Sequence, residues 1–366
     1  MPELRARLFA PARDTLWGAF AALILSLLIS FVAIAASGRD AAMGFADLLS
    51  GAFGGPGPLG ETAIKSAVLV LTGLSVAVAF TVGLFNIGAE GQLIWGALAA
   101  AVIGQRDLPG AMALSLLGAA VAGAGWGLLA GWLKVRRGVH EVISTILLNW
   151  IAIHLVHGWL VAGPLAAAGS GAMVSIAGTE PVSASAWLPR LFAGSRLDLG
   201  FPLALAVAAA VWFLLTRTVR GFEWRAVGAG RDAARASGIP SSRRICEGMA
   251  LSGALAGMAG ALLILGTEHK YPGVFRTGYG FDGIAVALVG GGTALGTTAA
   301  ALVFGALRAG ATRLQLVGVH PSFAELTQGL AVLLVAAPRI FQPLLARLRG
   351  RPAPAASAPP VPTVPP

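Results

Sequence analysis

Charged residues are scarce in this chain of 366 residues, since Asp, Glu, Lys and Arg together make up only 11% of it. A soluble domain carries roughly 25%. Hydrophobic residues make up 56% of the sequence, and the mean hydropathy is +0.79. A soluble fold could not bury so much apolar surface. The composition therefore argues against a soluble dehydrogenase, nuclease or DNA-binding domain and predicts an all-α, polytopic membrane protein.

Cysteine is nearly absent, because Cys246 is the only one in the sequence. A single thiol can form neither an internal disulfide nor a CxxC metal or redox motif. Of the five histidines, only His154 and His157 lie at a spacing typical of metal ligands, and a zinc site needs three or four ligands. We therefore expect no metal site and no cofactor bound by this chain.

Lysine is rare too, and the three that occur are Lys65, Lys134 and Lys270. None of them ends the G-x-x-x-x-G-K-[ST] pattern that binds nucleotide phosphates. The sequence also lacks a pattern of nucleophile, base or metal ligands that would indicate a membrane enzyme. We expect this chain not to be an enzyme, and any ATP hydrolysis to take place on another polypeptide.

Basic residues outnumber acidic ones, 26 to 16, which in a soluble protein would point to a nucleic acid. Here the arginines cluster between apolar runs, and no basic face interleaved with aromatic residues is present, so we expect no nucleic-acid partner. The clusters lie at 5–13, 134–137, 217–244 and 339–351. Alternating crossings place all four on one side of a membrane. Because basic loops favour the cytoplasm, both termini are predicted to be cytoplasmic.

Ten apolar runs are each long enough, or nearly so, to cross a hydrocarbon layer of ~30 Å at 1.5 Å per residue. They cover 16–36, 63–81, 89–103, 110–133, 142–162, 201–215, 248–266, 283–295, 299–317 and 323–336. The first is longer than a signal peptide's apolar region of about 7 to 15 residues, so we interpret it as an uncleaved helix. Pro and Gly at 54–58 predict an external loop after it.

The runs divide the chain into three regions. Residues 1–15 form a cytoplasmic N-terminus, 16–338 a transmembrane domain and 339–366 a cytoplasmic tail that is basic and rich in proline. Within the domain, 163–200 is an external loop and 216–247 a cytoplasmic loop. The tail lacks apolar periodicity and is expected to stay extended or disordered in water.

Two crossings are interrupted by glycine and polar residues, at 83–91 and at 290–296. Non-helical backbone at membrane depth persists only against protein or a water-filled cavity. Paired interruptions of this kind indicate a substrate pathway.

Polar side chains near the first interruption are candidates for that pathway. Asn86, Gln92 and Asn149 offer donors and acceptors to a hydroxylated solute. The carboxylates of Glu90, Glu141 and Asp282 begin predicted helices, where they either stabilise a helix N-terminus or line the pathway. The candidate pathway residues are Asn86, Glu90, Gln92, Asn149 and Asp282.

The longest polar stretch, 216–247, contains an ordered segment. Asp232 begins a short helix in which Arg231 and Arg235 lie one turn apart, and Gly238 followed by Pro240 ends it. Two interpretations remain open on these residues. The segment is either a solvated surface helix or a docking surface for a soluble motor subunit.

The stretch at 221–239, GFEWRAVGAGRDAARASGI, resembles the cytoplasmic coupling region of inner-membrane permeases of ATP-binding-cassette importers. Three further stretches resemble the nucleoside and simple-sugar group of these permeases, which is related to ribose and branched-chain amino-acid permeases. They are GLFNIGAEGQ at 83–92, EVISTILLNW at 141–150 and GYGFDGIAVAL at 278–288. The resemblance covers about 62–338.

The resemblance implies a ribose-type importer permease fold with about ten transmembrane helices, some of them broken, in the inner membrane of a bacterial-type cell. It implies four partners: an ATPase subunit that uses the ATP, a second permease in a homodimer or heterodimer, an external substrate-binding protein and membrane lipid. The coupling residues it implies are Glu223, Arg225, Gly228, Arg231, Arg235 and Gly238.

The function implied is a permease subunit that passes a nucleoside or simple sugar, delivered by the binding protein, into the cytoplasm. The alternative is a secondary transporter driven by an ion gradient and using the carboxylates. A docking surface at 216–247 separates the two, because a gradient-driven carrier needs none.

Overall fold

The computed structural model describes residues 40–167, 178–192, 194–273, 275 and 278–316, with short pieces between 24 and 36 and between 326 and 334. The predicted tails and about half of each of the first and last apolar runs lie outside these residues. Within the described part the regular structure is helical, and β pairing is limited to an isolated bridge between Arg190 and Asp198.

The helices follow one another along the chain, most of them with short connections, and longer stretches precede α6 and α10. They are α1 (Ala41–Phe53), α2 (Pro56–Thr81), α3 (Ala89–Gly104), α4 (Ala111–Arg137), α5 (Glu141–Leu155), α6 (Gly200–Arg217), α7 (Val219–Ala229), α8 (Arg231–Ala236), α9 (Ser241–Leu263), α10 (Tyr279–Val289) and α11 (Ala294–Leu316). Val156–Val161 continues α5 and Ile264–Glu268 continues α9 as π-helical turns.

Within the described ranges, six helical segments are long and apolar enough to span a membrane, which confirms the all-α polytopic class. They are α2, α4, α5 with its π turn, α6, α9 with its π turn, and α11 as far as Arg313. The apolar helices α1, α3 and α10 have 13, 16 and 11 residues. At 1.5 Å per residue, an 11-residue helix rises only about 16 Å and cannot cross the layer alone.

The apolar run at 283–295 is not one helix. α10 ends at Val289, and the chain turns through Gly290, Gly291 and Gly292 before α11 begins. Gly291 and Gly292 have φ of 64° and 67°, a left-handed conformation that costs little only for glycine. The predicted interruption at 290–296 is therefore confirmed, and it divides this apolar run between α10 and the start of α11.

The loop expected at 54–58 is shorter than predicted. Only Gly54 and Gly55 separate α1 from α2, and Pro56 starts α2. Proline is tolerated in the first turn because its missing N–H has no intrahelical partner there. α1 itself was not predicted; the Asp40 carboxylate caps it by accepting a hydrogen bond of 3.0 Å from Met43 N.

α2 forms the centre of the bundle. Inside the molecule, 89% of its membrane-length window is buried, compared with 22% for α4. A helix that is apolar all round belongs in such a central position. α4 is peripheral, and it packs on α9 through glycines: a Cβ on Gly257 would lie closer than 3.0 Å to Ala119 O. The two backbones thus approach each other directly.

The bundle has two distinguishable ends. We call the basic end the one that holds the C-termini of α2, α4 and α6, the helices α7 and α8, and the start of α9. Contacts of Gly83 with Gly228 and of Gly131 with Met249 bring these pieces together. The opposite end holds Gly104 and residues 178–199, whose backbone bonds to 265–271.

Candidate functional site

The connection between α2 and α3 carries non-helical backbone deep into the bundle. After Thr81 the chain turns at Gly83, which has φ of 77°, and runs back alongside α2 to Gly88. The connection reaches the level of Ser75 in the interior of α2, because the Ser252 side chain of α9 bonds both to Ser75 and to Asn86. The predicted interruption at 83–91 is confirmed.

Asn86 holds this connection against two neighbouring helices. Its Oδ1 accepts a hydrogen bond of 2.8 Å from Gly88 N. Its Nδ2 donates to Gln92 Oε1 at 2.9 Å and to Ser252 Oγ at 2.8 Å. Asn86 and Gln92 are fully buried. The side chain of Asn86 therefore joins the break to α3 and α9.

α5 supplies the partners for the start of α3. Asn149 Oδ1 accepts from Gly91 N at 2.8 Å, and Asn149 Nδ2 donates to Ile87 O at 2.7 Å. Thr145 Oγ1 accepts from Ile87 N at 3.4 Å. The first N–H groups of a helix have no intrahelical partner. Asn149 and Thr145 satisfy groups that would otherwise be buried without one.

Glu90 lies in the first turn of α3 and binds the start of another helix. Its Oε1 accepts from Gly278 N at 3.0 Å and its Oε2 accepts from Gly280 N at 2.7 Å. Gly278 precedes α10 and has φ of 68°. Glu90 is 3% exposed. Its carboxylate thus occupies a helix N-terminus, the first of the two positions considered from the sequence.

The other two carboxylates form ion pairs with residues outside this cluster. Glu141 pairs with Lys134 Nζ at 2.7 Å and joins α4 to α5 at the basic end. Asp282 pairs with Arg308 of α11, whose guanidinium lies 3.8 Å from the centre of the Tyr279 ring. The structure therefore brings together Asn86, Glu90, Gln92 and Asn149 around the start of α3, whereas Asp282 lies in the first turn of α10 and links it to α11.

Sequence reasoning missed Ser75, Ser252 and Arg308. An arginine inside an apolar run signals a buried partner or cavity, so Arg308 could have been found. Serines in apolar helices are ordinary, and nothing in their spacing marks Ser75 or Ser252.

Among the described residues no group of three or more metal-binding side chains occurs. His157 Nε2 lies 2.6 Å from Tyr271 Oη, and His154 stacks on Trp150.

The polar stretch at the basic end forms two helices. The predicted short helix is confirmed as α8, and it ends before Gly238, which has φ of 81°. α7 was not predicted; the Thr218 hydroxyl caps it by accepting from Gly221 N at 3.1 Å. Gly230 joins the two in an extended conformation, with φ of −173°.

Ion pairs attach α7 to α9. Arg244 lies 2.7 Å from Glu223 and 2.7 Å from Glu247. Glu247 also pairs with Arg220 at 3.1 Å and with Arg243 at 2.9 Å. The Arg244 side chain is 11% exposed, so its charge is largely removed from water and needs both carboxylates.

Gly228 brings α7 against the interrupted connection. A Cβ on Gly228 would lie closer than 3.0 Å to Thr81 O and 3.1 Å from Gly83 N. Glycine permits this backbone contact because it has no side chain. The α7 helix therefore touches the same connection that carries Asn86.

An apolar groove of ≈ 480 Å³ separates α7 from α8 and is lined by Val219, Phe222 and Ile239 among others. Phe222 is 60% exposed. Arg225 and Arg231 are half-buried, whereas Arg235 and Gly238 are exposed. Exposed apolar surface with a charged rim is typical of a protein-binding site.

Comparison with known proteins finds a family of transport permeases and several similar permease proteins. Residues 59–337 match the family described as branched-chain amino acid transport system, permease component. The guanosine ABC transporter permease protein NupP of Bacillus subtilis is 38% identical over 336 residues, or 90% of this chain and 95% of NupP. The nucleoside ABC transporter permease protein NupB of Lactococcus lactis is 30% identical over 342 residues, or 90% and 92%. The glucose ABC transporter permease protein TsgB13 of Haloferax volcanii is 33% identical over 312 residues, or 81% and 80%.

Proposed function

This chain belongs to the branched-chain amino acid transport system / permease component family, and from its similarity to the nucleoside permeases NupP and NupB we propose that it passes a nucleoside, or a related simple sugar, across the membrane. It is a multi-pass permease subunit of an ATP-binding-cassette importer and not an enzyme, because ATP hydrolysis in this family lies on a separate ATPase subunit. Its partners include that ATPase and a substrate-binding protein. Nothing supports the gradient-driven alternative.

The main support for this cargo is the similarity to the guanosine permease NupP over 90% of this chain. The similarity to the glucose permease TsgB13 keeps a simple sugar in the proposal. The amides of Asn86, Gln92 and Asn149 have the chemistry for this cargo, because they can donate to and accept from hydroxyl and base groups.

The proposed pathway runs beside Asn86, Glu90, Gln92 and Asn149, with Asp282 nearer α11. In the described conformation the side chains of Asn86, Glu90, Gln92 and Asn149 bond within the protein and are buried. Passage of a solute therefore requires the connection at 82–88 to move and its hydrogen bonds to be exchanged. Such rearrangement of broken helices is a common basis of alternating access.

The proposed source of that movement is the ATPase, docked on α7 and α8. The groove between these helices offers apolar surface to a partner, and Arg225, Arg231 and Arg235 lie on the same two helices. Glu223 ties α7 to α9, and Gly228 contacts the connection directly; Gly238 lets the chain turn after α8. Displacement of α7 would thus act on the pathway through the ion pair of Glu223 with α9 and through the contact of Gly228 with the connection.

The remaining proposals concern the assembly. We place the basic end and both termini in the cytoplasm and residues 163–200 outside, in the inner membrane of a bacterial-type cell, with a second permease identical or similar to this chain. Exposed apolar side chains of α4, such as Leu117 and Val121, would face lipid. Reporter fusions at Ala12, Ser185 and Ala355 test the topology; an external Ala355 with an internal Ala12 would refute it.

The cargo is tested by uptake into cells that express the importer with and without this chain. Radiolabelled guanosine, uridine, adenosine and ribose are compared with leucine as the amino-acid control. We expect nucleoside or ribose uptake to depend on the chain and leucine uptake not to. If leucine alone depended on the chain, the cargo would be wrong while the permease function would stand.

A further inference from the structure

Two interrupted segments of the chain meet at Glu90. One is the connection at 82–88, which α7 touches through Gly228 at the basic end. The other leads from the opposite end into α10, which starts at Tyr279 and is too short to cross a membrane alone. Glu90 follows the first segment directly and bonds to Gly278 and Gly280 at the start of the second.

The contact at Glu90 is close and specific. Both carboxylate oxygens accept backbone N–H groups of α10, one oxygen each. Gly280 packs on the backbone of Glu90, since a Cβ on Gly280 would lie closer than 3.0 Å to Glu90 N. Charge-assisted hydrogen bonds in a buried site are strong and directional. α10 therefore has to follow the first turn of α3 when that turn moves.

The segment before α10 is tied at the opposite end of the bundle. Tyr271 O accepts from Thr179 N at 2.9 Å, and Tyr271 N donates to Thr179 Oγ1 at 3.1 Å. Tyr271 is fully buried. Contacts thus connect α7 with Gly83 and Glu90 with α10, and Tyr271, which precedes α10 in the chain, bonds to Thr179.

We infer that Glu90 is the joint that transmits movement between α7 and α10, so that it positions α10 for transport rather than binding the solute. This inference rests on the proposed function. Non-helical backbone precedes both α3 and α10. Each helix can therefore shift as a unit while the hydrogen bonds between Glu90 and the start of α10 persist. In this role Glu90 links the ATPase side of the permease to the side that receives the binding protein.

The test uses the complete importer in lipid vesicles, with its ATPase and the solute-loaded binding protein. Glu90→Gln keeps the volume of the side chain but leaves one acceptor oxygen, and its NH2 group faces a backbone N–H. We expect assembly and basal ATP hydrolysis to persist, while stimulation of hydrolysis by the binding protein and solute uptake fall at least about tenfold, within the range of measured allosteric couplings. Glu90→Asp retains both charged oxygens and is expected to restore part of both.

Glu141→Gln is the matched control. It makes the same chemical change in the first turn of α5, where the carboxylate pairs with Lys134 and so joins α5 to α4. We expect its stimulation and uptake, per assembled importer, to stay within about twofold of the unmodified protein, below the range of measured couplings, because this ion pair does not hold α10.

Three results would overturn the inference. Stimulation and uptake of Glu90→Gln could equal those of the unmodified protein. Assembly, basal hydrolysis and uptake could instead fall in proportion, without recovery in Glu90→Asp; that result would indicate a purely structural role. The KM for the solute could rise while stimulation stays unchanged; that result would indicate that Glu90 binds the solute. A wrong cargo is recognised separately, because the unmodified importer itself would then fail to take up nucleosides or ribose.

Discussion

Replacing Gly228 with alanine is the sharpest test of how α7 acts on the membrane domain. The new methyl group would lie closer than 3.0 Å to Thr81 O and 3.1 Å from Gly83 N. Carbon and oxygen atoms in contact prefer about 3.5 Å. Because the obstructing atoms belong to the backbone, no side-chain rotation relieves the overlap, and α7 has to move away by up to about 1 Å.

The cost of this displacement is that of an overpacked contact, about 1–3 kcal/mol. The ion pair between Glu223 and Arg244 still attaches α7 to α9, so we expect the importer to assemble. ATP hydrolysis stimulated by the loaded binding protein, and solute uptake in lipid vesicles, should both fall by roughly 5- to 150-fold if the contact carries a typical coupling energy.

Gly230→Ala provides the control two residues along the chain. Its φ of −173° suits any residue, and a Cβ there would meet only the Cβ of Ala233, at 3.8 Å. We expect normal uptake and stimulation. If Gly228→Ala behaved like Gly230→Ala in both assays, direct transmission through Gly228 would be refuted.

Three further substitutions, one of them with a matched control, test the packing and charge of the described fold by thermal unfolding in detergent. Asn149→Leu leaves two buried backbone groups unpaired, at roughly 1–3 kcal/mol each, so the Tm should fall; an unchanged Tm would contradict the role given to that amide. Gly257→Ala should be destabilised by about 1–3 kcal/mol through overlap with α4, whereas Gly125→Ala, with open space around it, should be neutral or slightly stabilised, and equal effects would refute the close approach. Burial raises the pKa of the Asp198 carboxyl, although its bond from Gly200 N and nearby arginines oppose this. Because the folded-state pKa lies above the unfolded one, ionisation of Asp198 penalises the folded state, and this penalty should disappear as pH falls through the folded pKa. Asp198→Asn should therefore have the higher Tm at pH 7, with a difference that shrinks in acid; a constant difference would exclude the charge as its cause.

Several features followed from the sequence because they depend on composition and local chemistry. The scarcity of charge and the long apolar runs required a membrane-spanning helical bundle. The glycines and polar residues at 83–91 and 290–296 predicted where helices break. Glycine weakens a helix, and polar residues at membrane depth indicate non-helical backbone that packs against protein or water. Gly238 and Pro240 likewise predicted the end of α8.

Other features could not be predicted because their signals are weak or ambiguous in one dimension. α1 was overlooked because its 13 residues are fewer than a membrane-spanning run needs. The position of Pro56 was misinterpreted, since proline both breaks a helix and begins one. The partner of Asp282 was not predicted either, because Arg308 lies 26 residues further along the chain.

The candidate site shows the same division. Asn86, Gln92, Asn149 and Glu90 could be chosen from the sequence because polar groups in an apolar chain are costly and need partners. Which partners they find depends on helices brought together from distant parts of the chain. Ser252 lies 166 residues from Asn86, and Gly280 lies 190 residues from Glu90. Only tertiary packing could decide that Glu90 holds α10, since hydrogen bonding and backbone contact act over a few ångströms and are indifferent to distance along the chain.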